Sequence, residues 1–128
     1  MVLTQNGHVL INMKEEDIRP EYEHFKFQVN GKALVEGLKV TADVPQSDYV
    51  FEEDYKLRTL KEVENFVTEN KHLPEVPSAA EFKENGYLIG EMDDVLLRKV
   101  EELTLYMIQA NKQIEALKKE VVLLKAAK

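Results

Sequence analysis

The sequence contains no cysteine, which excludes a disulfide framework and any thiolate metal site. It also lacks a basic run to offset its formal net charge of −7, and this argues against nucleic acid as a main partner. No segment approaches the length of a membrane span. The opening "MVLTQNGHVLINMKEED" has no basic stretch followed by a long apolar run, so no signal peptide is expected. Among the three histidines, His8, His24 and His72, no two stand three or four residues apart, which leaves no imidazole pair at metal-ligand spacing. A Gly-rich phosphate loop and a nucleophile elbow are absent as well. The acidic pairs Glu52-Glu53, Asp93-Asp94 and Glu101-Glu102 read as solvated faces or helix-dipole partners. The expectation is a protein without metal or cofactor, and not an enzyme.

Proline is scarce too, with four in 128 residues, yet two fall in "NKHLPEVPSAAEFKENG" (70–86). Pro74 and Pro77 each remove a backbone donor and push the preceding residue toward extended geometry. Ser78 stands three residues before Glu81, the spacing of a capping box. Gly86 can take the left-handed position that closes a helix. The stretch is a stop, a rigid link and a fresh helix start, with His72 as a structural hydrogen-bonding residue beside it.

Three zones follow along the chain, 1–43, 44–91 and 92–128. The first reads as β structure: "HVLIN" (8–12), then "FKFQVNGKALVEGLKV" (25–40), a hairpin about Asn30-Gly31 with Gly37 as a possible bulge. Phe25, Phe27 and Val29 lie before that turn, and Leu34, Leu38 and Val40 after it. So few strands cannot bury an apolar face alone. Residues 44–58 form a bridge whose Tyr49, Phe51 and Tyr55 pack on neighbouring elements. A first helix starts at Thr59, three residues before Glu62, and carries Leu60, Val63, Phe66 and Val67 on one face. A short second helix follows from Ser78.

The third zone is one long helix from about Met92 to Ala126. Val100, Met107, Ile114 and Val121 form one heptad set; Leu96, Leu103, Ala110, Leu117 and Leu124 form the other. The steps alternate four and three without a stutter, as in a left-handed coiled coil. No other segment is long enough to cover this seam, so the chain is expected to associate with itself. Val and Ile at a with Leu at d lean toward a parallel dimer, while Met107 and Ala110 weaken that lean. A shorter stripe, Leu97, Leu105 and Ile108, lies off the seam and ends by residue 108. It suggests that the two short helices fold back over the upper half of the long one.

Residues 47–120 resemble the C-terminal module of phage tail-fibre proteins and fibre-like bacterial surface proteins. The likeness rests on "DYVF…YKL", the "HLP" and "PS" of the proline corner, "GEM" at the helix start and "KVEELTLY" in the coil. The "VNG" of residues 29–31 resembles the β segment that precedes such modules, whereas the charged stretch 12–24 departs from their Gly-Thr-rich turn. The resemblance implies a homotrimeric fibre or spike end on a virion or cell-surface appendage, involved in attachment to a host or receptor. It also extends, more distantly, to the intramolecular chaperones that end phage tail spikes and endosialidases. Many of those release themselves with a serine and a lysine, and Ser47-Asp48 followed by Lys56 echoes that pair. The expected fold class is therefore α+β: short N-terminal β segments with a hairpin, two short helices, and a long helix in a parallel trimeric coiled coil.

Overall fold

The computed structural model describes residues 1–41 and 47–128; the expected boundary between residues 43 and 44 lies outside them. The chain divides into two compact units, Met1–Lys39 and Val40–Lys128. Among the described residues it is α+β, with a three-stranded sheet and three α-helices.

In the first unit, β1 (Val2–Leu3) pairs antiparallel with β2 (Val9–Ile11), and β2 pairs in parallel with β3 (Phe27–Val29). The tight turn that joins β1 to β2 uses Asn6-Gly7. Gly7 N donates to Thr4 O (3.1 Å) and Thr4 N to His8 O (2.9 Å). Gly7 takes a φ of 77°, where a side chain would be strained. This is the three-residue hairpin with a left-handed glycine at its end. The hairpin expected about Asn30-Gly31 does not form. A two-residue turn of that kind needs positive φ at both central residues, and Asn30 is not among the positive-φ residues. Its backbone is instead committed to β2: Asn30 N donates to Ile11 O (3.0 Å), and Asn12 Nδ2 donates to Asn30 O (2.9 Å). Leu34, Leu38 and Val40 consequently lie on no strand and are exposed.

The parallel pairing of β2 and β3 needs a crossover of a dozen residues or so. The charged connection supplies it through two 3₁₀ turns, Glu15–Asp17 and Pro20–Tyr22. Leu10 is wholly buried, and Gln28 Nε2, on the adjacent strand, donates to the carbonyls of Tyr22 (3.1 Å) and Phe25 (2.9 Å). His8 is buried beside it, with Nε2 2.8 Å from Glu23 O and Nδ1 3.4 Å from the Thr4 hydroxyl.

In the second unit a 3₁₀ segment, Ser47–Phe51, precedes α1 (Leu60–Asn70), α2 (Ala79–Asn85) and α3 (Ile89–Ala126). Both expected capping boxes form. Thr59 Oγ1 accepts from Glu62 N (3.2 Å) and Ser78 Oγ from Glu81 N (3.3 Å), while each glutamate accepts from its cap residue's N–H at 2.7 Å. Lys71 closes α1 at a φ of 62° and Gly86 closes α2 at 64°. Ser78→Ala is expected to lower stability by about 1 kcal/mol through loss of the cap, measured by thermal unfolding, with the association state unchanged.

The long helix begins three residues earlier than expected, because Leu88 is still extended and Ile89 starts the turn. Its 38 residues reach about 57 Å at 1.5 Å per residue. The helix is covered differently from the sequence-based expectation. The main element against α3 is the 3₁₀ segment, whose Ser47 and Val50 are wholly buried. Neither short helix packs broadly on α3, and neither buries a residue fully. Leu105 is half-buried, but Leu97 and Ile108 stay exposed. The 3₁₀ segment takes this place because its polar anchors meet partners on α3, described next.

Candidate functional site

Two faces of α3 differ in chemistry. The inward face is polar and tied to the rest of its unit by side-chain hydrogen bonds. Ser47 Oγ donates to Asp94 at both its carbonyl oxygen (2.7 Å) and Oδ1 (2.6 Å). Tyr55 donates its hydroxyl to Glu102 Oε1 (2.5 Å), Tyr106 donates to Arg58 O (2.6 Å), and Arg98 Nη1 donates to the Tyr49 hydroxyl (3.1 Å). The Tyr49 and Tyr55 rings sit 5.8 Å apart. Two of the bridge aromatics thus pack against α3 and each other, whereas Phe51 is exposed.

The proline corner joins this network through a residue that the sequence did not single out. Pro74 is buried, and Glu75 follows it at a φ of 63°, a conformation costing a non-glycine residue roughly 1–2 kcal/mol. Three cations offset that cost. Lys99 Nζ reaches Glu75 Oε2 at 2.9 Å, Arg58 reaches Oε1 at 3.4 Å, and Arg98 lies 3.9 Å away. Lys99 is itself buried and also donates to Glu102 Oε2 (2.9 Å). The hydrogen bond from Lys99 holds the Glu75 carboxyl below the usual carboxylate range. Its stabilising contribution is present above the ordinary glutamate pKa and fades as pH falls through the lowered value.

Glu101 has the opposite character. It is buried, its Oε2 has no hydrogen-bond partner, and burial, then the charges of Asp48 and Asp94, push its pKa up. A raised folded-state pKa makes a contribution that is complete below the unfolded value and lost as pH rises through the folded one. Glu101→Gln is therefore expected to raise the melting temperature at neutral pH and to leave it nearly unchanged at pH values below the carboxylate range. Thermal scans across that window check it.

The outward face is the heptad seam. Leu96, Val100, Leu103, Met107, Ile114, Leu117, Val121 and Leu124 are all exposed, from 47% at Val121 to 69% at Met107, and Ala110 is half-buried. From Asn111 onward every residue of α3 is exposed, so the last four turns rest on no described residue of their own unit. The corner residues play local roles. His72 Nδ1 lies 3.0 Å from Leu73 O, and its ring meets Phe66 edge to face at 5.4 Å. Pro77 is exposed, and Ser78, Glu81 and Gly86 serve α2 as cap, box partner and closing residue.

Ser47 and Lys56 are not brought together. The serine hydroxyl is given to Asp94, while Lys56 is exposed and makes no hydrogen bond or ion pair. Among the described residues no group of three His, Cys, Asp or Glu side chains is gathered to hold a metal ion, and no helix is long and apolar enough to cross a membrane. No protein-family model, curated protein or solved structure matches the chain.

Proposed function

We propose that this chain is a non-enzymatic trimerisation module, the structural end of a fibre or spike on a virion or cell-surface appendage, serving attachment to a host or surface. One observation carries the reading. The chain covers one face of α3 with its own 3₁₀ segment and corner, and leaves the heptad face bare from Leu96 to Leu124. A lone helix of the length of residues 111–126 is marginal in water. Burying what remains exposed of nine such side chains is worth on the order of 10 kcal/mol per chain. That matches the size of the association cost, about 4–15 kcal/mol.

One complementary pair at the seam's flanks favours the parallel orientation. Glu120 and Lys125 occupy g and e positions, and in a parallel coil the glutamate of one chain meets the lysine of the next. The proline corner supports the same design. Its Glu75 pins the link between α1 and α2 to Lys99, a g position beside the seam, and leaves the a and d side chains uncovered. The first unit also calls for partners, since Leu10 is its only wholly buried apolar residue while Leu3, Phe27 and Leu34 are exposed.

A folding-module reading uses the same bare face: the coil would register three chains and so promote their folding. Self-release near Ser47 is the distinguishing claim. The intact mass of the purified chain tests it, because release would leave a product starting at or near that residue.

A further inference from the structure

α3 carries a second exposed apolar patch that a coiled coil would not cover. Val122 and Leu123 are 64% and 70% exposed. With Val121 at a, they fall at b and c, on the outside of the coil. Lys118 and Lys119 stand one turn before them and line the same shallow groove. This end of the helix is basic: residues 112–128 hold five lysines and two glutamates, a net +3 in a chain of −7.

The complementary surface lies elsewhere in the same unit. Phe51 is 54% exposed and leads directly into Glu52, Glu53 and Asp54, which are all exposed. The segment bearing it is fixed to α3 by the bonds of Ser47, Tyr49 and Tyr55 to Asp94, Arg98 and Glu102. Even the last of these anchors, Glu102, stands well before Val122 in the sequence, about 30 Å along a helix. The two patches therefore cannot meet within one chain.

We propose that the Lys118, Lys119, Val122 and Leu123 patch docks on the Phe51–Asp54 patch of a second copy, linking coiled-coil oligomers to one another. This rests on the coil reading, which leaves both patches outside the seam. Opposite charge sets the orientation and the apolar residues supply the buried contact. With the copies already held parallel in a coil, the two patches face outward at different heights, so the contact joins one oligomer to the next head to tail. Several copies of each patch per oligomer strengthen it through avidity.

The test is sedimentation velocity of the full chain at about 0.02 M and about 0.5 M salt, conditions that change the screening length several-fold. The expected result is species larger than the coil oligomer at low salt that revert to that oligomer at high salt. Lys118→Glu with Lys119→Glu should abolish the larger species, as should Glu52→Lys with Glu53→Lys. The chain carrying all four changes should recover them. A single coil oligomer at both salts would overturn the proposal, and so would larger species indifferent to the charge reversals. A closed antiparallel dimer, in which the two patches lie side by side, would overturn it as well. A chain that is monomeric at high salt but associates at low salt in the charge-dependent way supports the docking and removes the coil instead.

Discussion

Ile114→Asp is expected to convert the protein to a monomer. Ile114 lies at the centre of the lower seam, 49% exposed in the single chain and with no intrachain cover near it. In a parallel coil its copies face one another across the axis, so the substitution brings carboxylates together without partners. Desolvation costs several kcal/mol per ion even after relaxation, and mutual repulsion adds to it. That exceeds the contribution of any single seam residue, about 1.5–3 kcal/mol. The helix beyond Asn111 should fray in the same variant, because no described residue of its own unit covers it. Sedimentation should show the chain mass alone, and circular dichroism a partial loss of helix. Lys112→Asp, on the outer f position two residues away, should leave both unchanged. Should the two variants behave alike, the seam is not what holds the copies together.

Lys99→Met is the second large effect. The lysine is buried between Glu75 and Glu102, both at 2.9 Å. A methionine fills similar space and leaves two carboxylates without their cation. Breaking a buried pair costs about 3–5 kcal/mol, and the lower end applies here because the Glu75 side chain is 42% exposed. The corner should come away from α3, since Arg58 and Arg98 hold Glu75 only at 3.4 and 3.9 Å. The acid limb should flatten too, because the hydrogen bond that lowers the Glu75 pKa is gone. Adding Glu102→Gln to Lys99→Met should recover part of the loss by removing one orphan charge. Urea unfolding at a fixed chain concentration checks both, since association itself shifts apparent stability.

The elements that were legible in the sequence are those written by local rules. Two capping boxes, a glycine that closes a helix and an unbroken four-three heptad are each set by residues a few positions apart. The boxes form, the heptad is laid out as read, and Gly86 closes α2 at positive φ but with an extended ψ of −162° rather than in the left-handed helical conformation. The hairpin expectation fails because the first zone offers two Asn-Gly pairs. The chain turns at Asn6-Gly7, and Asn30 is held by Ile11 and Asn12 of a strand far away in sequence. Nothing in the local pattern ranks the two pairs. The cover on α3 was misassigned for a related reason. Apolar periodicity pointed to the short helices, whereas hydrogen bonds from Ser47 and Tyr55 put the 3₁₀ segment there. Polar contacts spanning 47 residues have no periodic signature. Glu75 was invisible for the same reason: its left-handed backbone and its bond to Lys99 belong to the corner as folded.

Sedimentation equilibrium of the unmodified chain tests the central claim most directly. The account predicts a single species at three times the 14.8 kDa chain mass in salt high enough to suppress charge-driven contacts. A chain that sediments at 14.8 kDa across the accessible concentrations would contradict it.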